Sequence, residues 1–292
     1  MIPINDHINP EHKLNDQIEN LIGSSKPAFR ESKEDIWNKL ELNLEALPIE
    51  KEAKVIKLEW FRYAAAAAIM ALLCSTLVAR FYSIDVLTGS GQHFSEVLPD
   101  GSEVILNAGS SLSYHPYWWV INRVVNFEGE GFFSVENGER FSVVSNNGTT
   151  DVLGTSFNVN SRGGSYEVLC ITGLVRVSNS LGSVKIAPNE FAISSQNGNF
   201  EQSVIRNEDE VIGWIQNKFF FAGVPLNEVL REVELQYGVL IQFSDDYSSQ
   251  MAYSGYFNKS ENVDEVLGVI GQALGLSFVK HGASTYNVSQ VN

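Results

Sequence analysis

The chain has 292 residues, of which 44% are apolar and 11% aromatic, enough for two domain cores and too many for a disordered tail. Thirty-five acidic against twenty basic side chains give a net charge of −15, which argues against nucleic acid as a direct partner, because phosphate binding relies on a surplus of Lys and Arg. With only Cys74 and Cys170, neither a disulfide framework nor a cysteine zinc site can be built.

Residues 1–30 are polar and punctuated by Pro3, Pro10 and Pro27. They read as largely disordered, with a short helix near Leu14–Leu21. A stronger helix is predicted from Ser32 to Leu47: Ser32 suits the N-cap, Glu34 and Asp35 suit the first turn, and Pro48 ends the run. Ile36, Trp37, Leu40, Leu44 and Leu47 recur every three or four residues and form one apolar stripe. A lone helix of this length is marginal in water. The stripe therefore packs on another protein or lies on the inner membrane face, although its polar side mixes acids with lysines where a membrane-surface helix would be basic.

From Tyr63 to Ala79 no residue is charged. At ~1.5 Å per residue this run spans roughly 25 Å, slightly short of a ~30 Å hydrocarbon core. Trp60, Phe61 and Tyr63 on one side, and Phe81 and Tyr82 on the other, extend it as interfacial aromatics, while Arg62 and Arg80 can snorkel outward. A buried Ala-rich core helix has no need of such flanks, so a transmembrane helix over 60–82 is expected. About sixty residues precede it, which separates it from a cleaved signal peptide. Leu73 stands where lipidation at Cys74 would need a small residue. Lys51, Lys54, Lys57 and Arg62 crowd the N-terminal side, whereas no Lys or Arg follows Arg80 until Arg123. The positive-inside rule then places residues 1–58 in the cytoplasm and the rest outside. Residues 81–292 carry 23 acidic and 10 basic side chains, a net of −13. Such a surface is soluble and would not cling to an anionic bilayer.

Residues 90–195 read as all-β, with short alternating runs separated by turn signals. Leu98-Pro99-Asp100-Gly101 is a turn feeding a strand at Ser102–Asn107. Further strands are expected at Arg123–Phe127, Phe132–Val135, Phe141–Ser145, Asp151–Val159, Tyr166–Ile171, Val175–Ser178 and Val184–Ala187, with Gly and Pro confined to the turns. Sandwich, barrel and β-solenoid all remain open.

Residues 217–290 contain an internal repeat. Pro225-Leu-Asn-Glu-Val-Leu230 followed by Tyr237-Gly238-Val239 returns 37 residues later as Asn262-Val-Asp-Glu-Val-Leu267 followed by Leu274-Gly275-Leu276. Each copy is an amphipathic helix closed by a glycine. Strands at Lys218–Ala222, Leu240–Phe243, Met251–Phe257, Leu276–Val279 and Tyr286–Ser289 complete two βαβ units over one sheet.

No phosphate loop, nucleophile elbow or H-E-x-x-H motif is present, and the histidines at 7, 12, 93, 115 and 281 are scattered, so no cofactor or metal is expected. Asp245-Asp246 reads as a turn, Cys170 as a buried strand residue, and Tyr117-Trp118-Trp119 as either core or an exposed recognition patch.

The strings LPDGSEVILNAGSSLSY (98–114), RVVNFEGEGFFSV (123–135), DVLGTSFNV (151–159), EVLCITGLVRV (167–177) and APNEFA (187–192) resemble, in order, the FecR-like anti-sigma receptor domain. Gly131 and Ser134 depart from that family's GEAYFEV-type run, and Arg140 stands where it usually has Pro. The repeat region resembles the short N-terminal domain of secretins and TonB-dependent receptors. The resemblance implies a twisted, solenoid-like β structure, and a transmembrane anti-sigma factor in the inner membrane of a Gram-negative bacterium, with its C-terminus periplasmic. The partners implied are an extracytoplasmic-function sigma factor, which Ile36, Trp37, Leu40 and Leu44 would bind, the signalling domain of a TonB-dependent transporter, and periplasmic and intramembrane proteases. No enzymatic activity is expected beyond self-cleavage at Gly154-Thr155, the position matching a Gly–Thr bond that some members split. The alternative at that bond is a simple bend before a strand. The rival for the whole chain is a membrane-tethered carbohydrate-active or structural envelope protein with no sigma-factor partner.

Overall fold

The computed structural model describes residues 10–24, 31–45, 59–194, 198–205, 208–243, 251–259 and 262–291. Leu47, Pro48, the Lys51/Lys54/Lys57 cluster and Asp245-Asp246 lie outside them. The chain divides into two compact units, Met1–Ala64 and Ala65–Asn292.

The first unit holds α1 (Pro10–Ser24) and α2 (Lys33–Glu45). The first helix is longer than the expected Leu14–Leu21: Pro10 stands at its first position, where a missing N–H is harmless, instead of breaking the chain. The second begins as predicted. The Ser32 hydroxyl accepts from the Asp35 N–H at 3.1 Å while the Asp35 carboxylate accepts from the Ser32 N–H at 3.3 Å, a reciprocal cap.

The helix α3 (Glu59–Phe81) covers the uncharged run and, among the described residues, is the one helix long and apolar enough to cross a membrane. None of its apolar stretch is buried against protein. Its Thr76 hydroxyl donates to the Leu73 carbonyl at 2.8 Å, which satisfies the polar group within the helix.

The β region comprises β1 (Ile84–Leu87), β2 (Phe94–Val97), β3 (Glu103–Leu106), β4 (Ser111–Tyr114), β5 (Arg123–Ser134), β6 (Phe141–Val144), β7 (Thr149–Val152), β8 (Ser156–Ser161), β9 (Glu167–Cys170), β10 (Val175–Ser178), β11 (Ser183–Ile186), β12 (Glu190–Ser194) and β13 (Phe200–Val204). One sheet runs β1-β4-β5-β6-β7-β10-β11 and the other β2-β3-β5-β8-β9-β12-β13. A single core lies between them, with Leu112, Val125, Phe141 and Val177 from one sheet and Val104, Phe133, Phe157 and Val168 from the other. This is a sandwich sharing one strand, not the solenoid the resemblance implied. Its ladders are antiparallel except β5–β6, whereas solenoid coils stack in parallel. The domain also extends beyond 90–195, since β1 pairs with β4 and β13 with β12.

Two expected strand boundaries are corrected. Arg123–Phe127 and Phe132–Val135 are one strand. The Glu128–Gly131 stretch is the crossing point at which β5 leaves β4 and β6 and joins β3 and β8. Gly129 takes φ +105°, and a Cβ there would stand 2.4 Å from the Ser110 hydroxyl, so glycine serves inside the strand rather than ending it. Conversely, the expected Asp151–Val159 strand is broken between β7 and β8 by Leu153-Gly154-Thr155.

The last region begins with α4 (Asp209–Ile212) and a 3-10 turn, Gly213–Gln216. It continues with β14 (Lys218–Pro225), α5 (Leu226–Tyr237), β15 (Leu240–Phe243), β16 (Ala252–Asn258), α6 (Val263–Leu274), β17 (Leu276–His281) and β18 (Thr285–Gln290). The repeat offset of 37 places α5 and α6 in register, and Gly238 and Gly275 close them with φ +66° and +67°. Leu226, Val229, Leu230 and Val233 pack with Val266, Leu267 and Ile270 in one core. The single expected sheet is instead two, β14–β16 and β15–β18–β17. The strands on either side of each helix enter different sheets, because each pairs with the other repeat or with β18.

Candidate functional site

In α2, every member of the predicted stripe within the described residues faces solvent. Trp37 is 61% exposed, and Ile36, Leu40 and Leu44 are exposed too. Lys39 forms a 2.5 Å ion pair with Glu31. An unburied Trp among three aliphatic side chains on a capped helix is an apolar face available to a partner.

Gly154 and Thr155 sit in a clamp. A Cβ on Gly154 would fall 2.0 Å from Asn137 Oδ1 and 2.8 Å from its Cα, so the Asn137 chain segment leaves no room for any other residue. From the other side Gly173, at φ +75°, comes so close that a Cβ would lie 2.5 Å from Thr155 Cγ2 and 3.1 Å from the Gly154 carbonyl oxygen. The Thr155 carbonyl accepts from the Val135 N–H at 2.9 Å and the Leu153 carbonyl from the Gly138 N–H at 2.8 Å. The Thr155 hydroxyl is buried without a hydrogen-bond partner. A cavity of about 390 Å³ opens beside this segment, lined by Asn137, Arg140, Asp151, Leu174, Arg176 and Lys185 among others. Asp151, a conceivable base for Thr155, is engaged elsewhere: it accepts from Arg140 Nε at 2.9 Å and from the Ser142 hydroxyl at 2.7 Å. Arg140, the departure from the family pattern, thus finds a partner on the neighbouring strand.

A third cluster escaped sequence reasoning. Glu130, buried on β5, accepts from Asn107 Nδ2 at 2.8 Å, Asn158 Nδ2 at 3.2 Å and Arg162 at 3.2 Å. Arg162 also donates to Glu232 of α5 at 3.2 Å and to the Ala108 carbonyl at 2.6 Å. Gln236, one helical turn on, donates to Asn107 Oδ1 at 2.7 Å and contacts His93 Nε2 at 3.1 Å. Lys259 reaches the Gly91 carbonyl at 2.6 Å. Burial, reinforced by the Glu232 charge, raises the Glu130 pKa to about 7 against the pull of Arg162. Burial, with Lys259 nearby, lowers that of His93. The network joins the sandwich to α5, beside an apolar contact in which Ile105 and Phe132 pack on the α+β core.

Family models match both halves of this arrangement: "FecR protein" over residues 84–176, the sandwich, and "FecR, C-terminal" over residues 218–286, the α+β region. The chain belongs to the FecR-like anti-sigma factor family. Two crystal structures of a candidate anti-sigma factor from Parabacteroides distasonis, at 2.50 and 1.65 Å resolution, are similar to it. They share 26% and 27% sequence identity with TM-scores of 0.67 and 0.66, and each comparison covers 72% of this chain and 100% of the other. No protein of curated function matches. FecR-family membership implies a sigma factor as partner. The motifs that carried the resemblance lie on the sandwich: LPDG is the turn before β3, closed by a 2.9 Å bond from the Gly101 N–H to the Leu98 carbonyl, and LGTSF is the Gly154 clamp. Gly131, another of the three departures, lies where a Cβ would stand 3.0 Å from the Phe127 ring.

Proposed function

We propose that this FecR-family chain is a single-pass inner-membrane signal transducer. Its cytoplasmic N-terminal segment holds an extracytoplasmic-function sigma factor, and its periplasmic part senses a substrate-loaded TonB-dependent transporter through that transporter's signalling domain. Release of the sigma factor then follows proteolysis of the anti-sigma chain in the periplasm and within the membrane. The observation that carries the reading is the exposed Trp37 stripe on the N-terminal side of a helix long and apolar enough to cross a membrane, in a chain whose far side matches the FecR models. A passive anchor has no use for that stripe. Capture with residues 1–58 as bait is expected to retrieve a sigma factor. Trp37→Ala is expected to weaken that binding by about 2 kcal/mol, roughly thirtyfold, as loss of a buried aromatic anchor does. Lys39→Ala is expected to leave it nearly unchanged, and equal small effects of both would remove α2 as the contact.

A second reading concerns self-cleavage, and the unpartnered buried hydroxyl of Thr155 favours it. In an N–O acyl shift the Thr155 oxygen bonds to the Gly154 carbonyl carbon, the C–N bond breaks, and the hydroxyl proton passes to the freed amine. Water then hydrolyses the ester to a Gly154 carboxylate and a new N-terminal Thr155. The clamp on both sides of the peptide supplies the positioning such a reaction requires. The test is a gel of protease-free 83–292, a fragment that includes β1. Expected is a split product beginning at Thr155, abolished by Thr155→Ala and only slowed by Thr155→Ser. A single intact band after long incubation refutes it.

A further inference from the structure

The segment Pro116–Asn122 is a hydrogen-bonded turn that exposes apolar side chains. Its 3-10 turn is closed by a 3.2 Å bond from the Trp118 N–H to the His115 carbonyl, and the Ile121 and Asn122 N–H groups return to the Trp118 carbonyl at 3.0 and 3.1 Å. Trp119 rivets it to the core, edge-on to Tyr114 and Phe141 at 5.7 and 5.8 Å. With Trp119 turned inward, its neighbours are forced out: Val120 is 99% exposed and Ile121 69%, with Tyr117 exposed beside them. A well-anchored loop that presents contiguous apolar side chains to water marks a contact surface.

The position of the loop identifies what covers it. His115 Nδ1 lies 2.9 Å from the Tyr82 carbonyl, one residue past the end of α3. Tyr117 and Tyr82 pack at 5.4 Å, and the Arg80 guanidinium lies over Trp118 at 5.5 Å and over Phe81 at 5.8 Å. Tyr and Trp rings with one snorkelling Arg are the residue types of a bilayer's interfacial layer. From Ser111 to Asn126 the chain has no acid, in a region of net charge −13; Asp100, Glu136 and Glu139 line the cavity that Val120 and Ile121 also line, and of these Asp100 is paired with Arg123.

We propose that the Pro116–Asn122 loop is a second membrane contact, which inserts Val120 and Ile121 into the outer interfacial layer of the bilayer that α3 crosses. The inference rests on the reading of α3 as a span. The contact holds the sandwich against the membrane at two points, the end of α3 and this loop, so that the domain cannot swivel freely on its tether.

The test uses the full chain with Cys74→Ala, reconstituted in phosphatidylethanolamine–phosphatidylglycerol vesicles. An environment-sensitive nitrobenzoxadiazole label is placed at Val120→Cys or, as a control, at Leu181→Cys, an exposed site in the turn between β10 and β11. Cys170 is fully buried and stays unlabelled. Alkaline carbonate extraction of the same vesicles reports on α3 alone. Expected are retention after carbonate, blue-shifted emission at 120 with strong quenching by lipids bearing a nitroxide near the headgroup, and aqueous emission at 181. Retention with aqueous emission at 120, or equal quenching at both positions, overturns the loop contact and leaves the span standing. Release by carbonate overturns the span and the loop contact together.

Discussion

Replacing Arg162 by Ala removes the one cation, among the described residues, in contact with both Glu130 and Glu232. Its guanidinium is largely shielded from solvent and makes bonds of 3.2, 3.2 and 2.6 Å to Glu130, Glu232 and the Ala108 carbonyl. Breaking a buried ion pair by deleting one partner destabilises by about 3–5 kcal/mol, because the stranded charge stays desolvated. Glu130, with a pKa near 7, can escape by taking a proton. Without Arg162, which holds that pKa down, protonation extends to still higher pH, so the loss is expected at about 3 kcal/mol only in alkaline solution and to shrink as pH falls. Adding Glu130→Gln should recover much of it, since the amide needs no counter-charge. The assay is urea unfolding of residues 83–292, followed by the fluorescence of Trp119 in the sandwich and Trp214 in the α+β region. The fragment begins after α3 and keeps both regions that the family models match. The unaltered fragment should unfold in one transition and Arg162→Ala in two, as the halves uncouple. A loss below about 1 kcal/mol with the single transition intact, the behaviour of an exposed pair, would refute the argument.

Topology is checked with a reporter active only in the periplasm, which should be active when fused after Ser90 and silent after Leu47; the reverse pattern would invert the orientation. Glu130 also sets a pH dependence. Its folded pKa lies above the ordinary 4.5, so the native state binds the extra proton, and its contribution to stability declines as pH rises from about 4.5 to 7. His93, whose pKa is lowered, acts with the opposite sign, so the contribution is isolated by comparing melting across that window with and without Glu130→Gln, which should flatten the decline. Equal slopes in the two proteins would remove Glu130 as its source.

The α+β region was the most legible part of the chain, because a 37-residue repeat and a 3.6-residue apolar period coincide and both helices stop at glycines that take left-handed angles. Its sheet partners were not legible, since strand periodicity records which face is buried but not which strand lies alongside. In the sandwich, glycine misled in both directions. Gly129 and Gly131 read as a turn, yet lie inside β5, where the close approach of Ser110 demands the first and the Phe127 ring leaves little room at the second. Asp151–Val159 reads as one strand, yet the chain breaks at Gly154, where Asn137 presses against the backbone. Residues 130, 162 and 232 are 32 and 70 positions apart, and no local pattern announces that they meet. Of the Tyr117-Trp118-Trp119 cluster, Trp119 lies in the core, Trp118 is half-buried beside Arg80 and Tyr117 is exposed.

The exchanged strands of the repeat have a consequence for how the protein comes into being. β14 pairs with β16, and β15 leans on β18, so the first half of the duplication is completed by chain that follows it and the second by chain that precedes it. A polypeptide delivered N-terminus first exposes β14 and α5 before their ladder partners exist. The first copy must wait with an open edge and an uncovered apolar helix face. Neither copy is then a folding unit, and a chain cut between them would leave an adhesive half, not a smaller domain. Quality control of this region is expected to be all or nothing, decided once β16, α6, β17 and β18 have arrived.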